Sequence, residues 1–213
     1  MVYSFLMFIL VRNAVQYALL ALLYQLAQSG ASGGLVDLLI LRDETGAYNG
    51  YSGDVSSIIA ALGFIGGALA VWSTAKLLIT KNKEDMHLSH LKKEGKAKYA
   101  LLVATTIGAV IGFNLLFELL GVTNKSEAYT EVAAQQYSAH FIVGILVFGF
   151  ISPIAEELLF RGVIYGYLRR FMDIKLAIAL SALIFGVYHM NYVQGIYGFL
   201  IGCLMAYAYE YFG

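Results

Sequence analysis

The stretch AHFIVGILVFGFISPIAEELLFRGVIYGYL, residues 139–168, is long and apolar enough to cross a membrane as a helix, yet it contains Glu156, Glu157 and Arg161. About 20 apolar residues suffice for one helical crossing. A charged side chain near the centre of a bilayer costs roughly 2.5–3.5 kcal/mol on insertion scales. Two adjacent glutamates with an arginine inside such a helix therefore indicate a functional site within a membrane.

The composition of the whole chain agrees with a membrane protein. Of its 213 residues, 60% are hydrophobic and 13% are charged, whereas a soluble domain is about half apolar and about a quarter charged. The 14 basic and 14 acidic residues balance, which argues against nucleic acid as a partner. Cys203 is the single cysteine, so the chain contains no disulfide framework. We predict one membrane domain covering residues 1–213.

The hydrophobic pattern predicts an all-α, polytopic bundle of transmembrane helices. Only a helix satisfies its own backbone in lipid unless the strands close into a barrel, and no alternating barrel pattern is visible. Six spans are expected, at about 3–28, 56–80, 99–122, 139–168, 174–191 and 193–212.

The distribution of basic residues predicts the orientation of these spans. Lysines are concentrated in residues 81–98, and residues 169–175 hold two arginines and a lysine, whereas residues 29–55 and 123–138 hold only Arg42 and Lys125. Cytoplasmic loops are enriched in lysine and arginine. We therefore expect a protein of the plasma membrane with both termini in the cytoplasm. The glutamate pair then lies in the cytoplasmic half of its helix, and His189 lies deeper unless its helix is tilted or broken.

The residues around the glutamates have spacing that suits acid–base chemistry. Glu157 and Arg161 are four residues apart and can pair on one face of a helix. Glu156 points about 100° away from Glu157, so it can face a cavity and act as a base. Pro153, the only proline, removes a backbone donor and is expected to kink the helix and open a wet pocket.

Two later elements complete the pattern. Phe185 and His189 share a helical face, and the histidine is placed to polarise a water or to bind a metal. The last span carries glycines near helical spacing, which is typical of a helix-packing face. These glycines are Gly195, Gly198 and Gly202.

Together, Glu156-Glu157-x-x-x-Arg161, Phe185-x-x-x-His189 and the glycine-bearing last span resemble the CPBP (Abi) family of intramembrane endopeptidases. That family includes type II CAAX prenyl proteases and bacteriocin self-immunity proteins. The resemblance covers residues 140–212. It implies a membrane hydrolase whose substrate is a peptide or protein that enters from the membrane or the cytoplasm.

The resemblance also implies roles for individual residues. Glu156 and His189 would activate the hydrolytic water, and Glu157 with Arg161 would orient the site. Members of the family are described both as metalloproteases and as metal-independent glutamate proteases. No cofactor is assigned with certainty, but zinc is the candidate, with Glu156 and His189 as its ligands. One histidine and two carboxylates make an incomplete zinc shell.

This chain departs from the family pattern at its C-terminal end. The family continues with a span bearing a His-x-x-x-Asn-like motif that stabilises the oxyanion, whereas the sequence stops at Gly213. Asn191 is the only nearby amide and does not match that motif. The chain is expected to be either a piece of a longer protein or a shortened, inactive member, because one oxyanion donor contributes about 10²–10³-fold in rate.

Two other functions remain open from the sequence. One is a non-catalytic membrane protein, such as an immunity protein or a binding partner, that retains the motif. The other is a small transporter whose buried carboxylates carry protons. The absence of visible inverted repeats and the scarcity of proline-broken helices count against the transporter.

Overall fold

The computed structural model describes residues 1–30, 33–85 and 96–212, and helices dominate it. A short antiparallel pair of strands, β1 and β2, and a 3₁₀ turn at Thr123–Lys125 are the remaining regular elements in these ranges. The strands are β1 Leu41–Arg42 and β2 Tyr48–Gly50. The helices are α1 Val2–Gln28, α2 Leu35–Leu39, α3 Gly53–Asp85, α4 Lys96–Leu119, α5 Glu127–Tyr137, α6 Phe141–Leu168, α7 Ile174–Tyr188 and α8 Tyr192–Phe212.

Five of these helices, α1, α3, α4, α6 and α8, are long and apolar enough to cross a membrane. The prediction of an all-α polytopic protein is therefore confirmed. The predicted fifth span is shorter than expected, because α7 has only 15 residues. At 1.5 Å per residue it is about 22 Å long, less than the roughly 30 Å of hydrocarbon in a bilayer.

The region between α2 and α3 contains a small β-hairpin that the sequence analysis did not predict. Its turn is built around Asp43, whose Oδ1 accepts hydrogen bonds from the Thr45 hydroxyl and from the backbone N–H of Ala47. The bond from the Thr45 hydroxyl contributes most to lowering the pKa of Asp43. Gly46 supplies the positive φ of 80° that the turn requires. The strands are too short to give the alternating pattern from which a strand is predicted.

The contacts between residues divide the chain into two compact units. The N-terminal unit consists of Val2–Trp72 and Val132–Glu157, and the C-terminal unit consists of Ser73–Glu131 and Leu158–Gly213, with Met1 grouped with the latter. Each unit is described by itself below, and the single membrane domain stays a prediction. The middle of the predicted lysine-rich loop, residues 86–95, lies outside the described residues.

Within the N-terminal unit, glycines on α3 let α1 come close. A Cβ on Gly67 would lie 3.0 Å from the Phe8 ring, which is fully buried. Nearby, the guanidinium carbon of Arg12 lies 4.6 Å from the centre of the Phe64 ring. A cation over an aromatic face is attracted by the ring quadrupole. This contact gives Arg12 a structural role within the helix pair.

The start of α3 in the same unit is tied to the start of α6. The Asp54 carboxylate accepts a hydrogen bond from the backbone N–H of His140 at 2.7 Å and contacts His140 Nδ1 at 2.5 Å. His140 directly precedes the first residue of α6. Asp54 therefore anchors the N-terminal end of the helix that carries the glutamate pair.

Within the C-terminal unit, Asn82 near the end of α3 caps the end of α6. Its side chain is only 2% exposed. Nδ2 donates to the Gly166 carbonyl at 2.8 Å, and Oδ1 accepts from Arg170 Nη1 at 3.3 Å. The last carbonyls of any helix lack partners within the helix. Asn82 supplies such a partner from another helix.

We expect Asn82→Leu to lower the free energy of unfolding by about 1–3 kcal/mol, because a buried carbonyl loses its donor. Thermal unfolding of the purified protein in detergent measures this change. Lys81→Ala is the matched control, since Lys81 is the exposed neighbour on the same helix. Equal melting temperatures for the two variants would contradict the capping role.

Candidate active site

The two glutamates lie at the end of the α-helical segment Ser152–Glu157 of α6, in the N-terminal unit. Both are partly buried. The hydroxyl of the buried Ser152 is 3.4 Å from Glu156 Oε1, at the long end of the hydrogen-bonding range. The Ser152 hydroxyl therefore helps to hold the Glu156 carboxylate within its own helix turn.

The segments of α6 on either side of Ser152–Glu157 have the wider turns of a π-helix. They cover Ile145–Ile151 and Leu158–Tyr165. From Pro153 the sequence predicted a kink in this part of the helix, whereas the structure has π-helical turns on both sides of it. A π-helix bonds residues five apart and occurs often at functional sites. Because Arg161 lies in the second π segment, its spacing from Glu157 is not that of an α-helical turn.

Arg161 is buried in the C-terminal unit, with only 2% of its surface exposed. Its Nη2 donates to the carbonyl oxygen of Gly202 on α8 at 3.1 Å. Its guanidinium carbon lies 5.1 Å from the centre of the Phe185 ring on α7. Arg161 therefore contacts groups on two other helices of its unit, the Gly202 carbonyl on α8 and the Phe185 ring on α7.

His189 stands at the C-terminal cap of α7, in the same unit as Arg161. Its Nδ1 lies 2.9 Å from the backbone oxygen of Phe185. A carbonyl oxygen can only accept, so Nδ1 carries the hydrogen. In the neutral ring the lone pair then belongs to Nε2, which is the nitrogen able to bind a water proton or a metal.

Aromatic rings surround the imidazole of His189 and connect it to Arg161. The Phe185 ring lies edge-to-face with it, with centroids 4.8 Å apart, and the Tyr188 ring does the same at 5.6 Å. Phe160 packs against both of these rings. Because Phe185 contacts both the guanidinium of Arg161 and the imidazole of His189, the structure brings these two predicted site residues together through one ring.

Asn191 forms the N-terminal cap of α8. Its Oδ1 accepts from the backbone N–H of Gln194 at 2.8 Å, and its Nδ2 donates to Gln194 Oε1 at 2.6 Å and to the His189 carbonyl at 3.2 Å. An asparagine that accepts from the third residue of a helix is a typical N-cap. The amide of Asn191 is thus used to start α8 directly after Met190, which has a φ of 58°.

The sequence analysis predicted Glu156 and His189 as the ligands of a metal ion. Among the residues described, neither unit holds three or more His, Cys, Asp or Glu side chains placed to bind one ion. The candidate ligands Glu156 and His189 do not by themselves complete the tetrahedral shell of zinc. Zinc binding by Glu156 and His189 stays a prediction, and no chemical step is assigned to a metal.

A second buried charge group was missed by the sequence analysis. Glu210 on α8 is 5% exposed and accepts from the Tyr165 hydroxyl at 2.6 Å and from Arg169 Nε at 3.1 Å. The signal was present as a lone glutamate within an apolar span. Its partners could not be found from the sequence, because they lie about 40 residues upstream.

Comparison with known proteins adds one finding. The family model described as "Type II CAAX prenyl endopeptidase Rce1-like" matches residues 138–213. This segment contains Glu156, Glu157, Arg161 and His189, so the resemblance predicted from these motifs is confirmed. The match supports a membrane protease of the CAAX type at the level of the family. No curated protein and no solved structure matches the chain.

We expect Asn191→Ala to lower the free energy of unfolding by about 1 kcal/mol through the loss of the helix cap. Asn191→Asp keeps the accepting oxygen and is expected to retain the stability of the wild type. Thermal unfolding in detergent compares the three proteins. A loss of stability as large in Asn191→Asp as in Asn191→Ala would show that Oδ1 is not the stabilising atom.

Proposed function

We propose that this protein is an intramembrane endopeptidase that hydrolyses a peptide bond near the cytoplasmic face of the cell membrane. The observation that carries the proposal is the match of residues 138–213 to a CAAX endopeptidase family, in a segment that holds both Glu156 and His189. The hydrogen bond between His189 Nδ1 and Phe185 supports it, because it defines the reactive nitrogen of the histidine. CAAX-type or bacteriocin-related peptides are the proposed substrates.

In the proposed mechanism Glu156 is the general base. It takes a proton from a water molecule while the water oxygen attacks the carbonyl carbon of the scissile peptide bond. His189 is proposed as the partner of Glu156 in activating the water, and it would act through Nε2. When the tetrahedral intermediate collapses, the C–N bond breaks and Glu156 returns its proton to the leaving amine. Atoms and charge therefore balance without a cofactor.

Arg161 and Glu157 are proposed as positioning residues. The buried guanidinium of Arg161 contacts Phe185 and the Gly202 carbonyl, which supports a role in holding α7 and α8 around the histidine. Glu157 follows Glu156 directly and is proposed to form the orienting pair with Arg161. Charged side chains in a bilayer are costly, which favours their retention for function.

The short length of α7 agrees with cleavage inside the membrane. In the proposed orientation α7 starts at the cytoplasmic surface, beside Lys175. With 15 residues the helix is about 22 Å long, less than the roughly 30 Å of hydrocarbon, so it ends inside the bilayer, and cleavage near the cytoplasmic face requires it to be tilted. A substrate peptide would have to enter from the lipid or from the cytoplasm to reach this depth.

We expect Glu156→Gln and His189→Gln each to lower kcat for a quenched prenylated CAAX peptide by about 10²–10⁴-fold, the usual contribution of a general base or its partner. The protein is assayed in detergent or in lipid vesicles. Glu118→Gln is the matched control, because its side chain is exposed and outside the motif, and it is expected to keep the wild-type rate.

Cleavage by Glu156→Gln at the wild-type rate would refute the assignment of the base. If that variant also retained binding of a peptide or toxin, the alternative of a non-catalytic immunity or binding protein would replace the protease. Unchanged melting temperatures in all three variants are required, so that loss of rate is not loss of fold.

A further inference from the structure

The geometry points to Gly198 as the positioning residue of the His189 imidazole: its lack of a side chain lets the ring keep Nδ1 on the Phe185 carbonyl and present Nε2 to the substrate water. This inference rests on the proposed function for its catalytic meaning. The placement of the ring can be tested without any activity. From the sequence, Gly198 was predicted only to belong to a helix-packing face and had no role in the chemistry.

The first support is the distance between α8 and the imidazole. A Cβ built on Gly198 would lie 3.3 Å from His189 Nδ1 and 3.4 Å from Cε1, closer than to any other group. The contact with Nδ1 is tighter than ordinary van der Waals contact, so the neighbour must move by a few tenths of an ångström. The neighbour here is the edge of the ring that carries the hydrogen-bonded nitrogen.

The second support is that the imidazole has little room to move. The Phe185 and Tyr188 rings stand against it at centroid distances of 4.8 and 5.6 Å. Its Nδ1 is 2.9 Å from the Phe185 oxygen. Hydrogen bonds of this kind extend to about 3.2 Å, so a shift of the ring by a few tenths of an ångström away from the oxygen would break it. A methyl group at position 198 therefore competes with the bond that sets the tautomer.

The third support is the contrast with the other glycines that face α7. A Cβ on Gly195 would lie 3.4 Å from the Gly186 oxygen, an ordinary contact. A Cβ on Gly202 would press on Ala182 and on the Phe185 ring at 3.1–3.2 Å. Gly202 and Gly195 thus serve the approach of the helices, whereas a side chain on Gly198 would meet the histidine itself.

The test compares Gly198→Ala with Gly195→Ala, which adds the same methyl group one turn away on the same helix. The readout is ¹⁵N NMR of histidine-labelled protein in detergent, with the His189 signal identified by its absence in His189→Gln. We expect the Nδ1–H tautomer at His189 in the wild type and in Gly195→Ala. Gly198→Ala is expected to lose most of that population while its melting temperature stays close to that of Gly195→Ala.

Activity gives the second readout. We expect Gly198→Ala to lower kcat about tenfold or more, with KM within about threefold, because a small misplacement of a catalytic group lowers the rate of the chemical step. Gly195→Ala should keep kcat within about twofold, as expected for a methyl group that makes only ordinary contacts. Wild-type protein with its hydrogen on Nε2, or a Gly198→Ala variant that keeps both tautomer and kcat, would overturn the inference.

A wild-type spectrum with the hydrogen on Nε2 would overturn the inference even if Gly198→Ala fails to fold. The outcome is also separable from the proposed function. If His189→Gln cleaves as fast as the wild type, the proposed protease mechanism fails, yet the tautomer comparison still shows whether Gly198 sets the position of the ring.

Discussion

A polar group inside a lipid bilayer must find its partner within the protein, and this constraint governs the C-terminal unit. Glu210 is bonded to Tyr165 and Arg169, and Asn82 is bonded to the end of α6. Arg161 donates to the backbone of α8. Each contact joins two helices that have no hydrophobic driving force to associate in lipid, so the buried polar groups supply direction as well as attraction.

Glycines provide the other half of the packing, because they let these contacts form at short range. On α8 the glycines allow close approach of α7, and a Cβ on Gly186 would lie 2.5 Å from the Gly195 oxygen. On α6, a Cβ on Gly162 would lie 3.1 Å from Ala75. Arg161 donates to the backbone oxygen of Gly202, which is one of these glycines. Close packing and polar satisfaction therefore depend on each other.

The elements around His189 combine these features into a defined environment for one imidazole. A helix end, a backbone oxygen and two aromatic rings fix its orientation, and the capped start of α8 follows only three residues later. Asn191, whose side-chain amide is two residues after the histidine in sequence, is engaged in that cap. The chemistry proposed for His189 thus depends on the turn between two helices rather than on the motif residues alone.

Much of the fold could be predicted from the sequence, because helical spans in lipid are set by length and apolarity. Five of the six predicted spans have the required length. Glu156 and Arg161 were proposed as site residues from the cost of charge in a membrane, and His189 was proposed from the helical face that it shares with Phe185. The shortness of α7, the π-helical turns of α6 and the hairpin after α2 were not predicted. Local hydrogen-bond geometry decides these features, and hydropathy does not report it.

By itself the sequence determined that the chain is a helical membrane protein with an acidic motif and a histidine, since composition and spacing are properties of the chain alone. Only the tertiary structure decided that Arg161 bonds to α8, that Glu210 is paired, and that Nδ1 of His189 is committed to Phe185. Those facts depend on which helices meet and at what distance. That distance is set by contacts between residues far apart in the chain and by the glycines at which the helices meet.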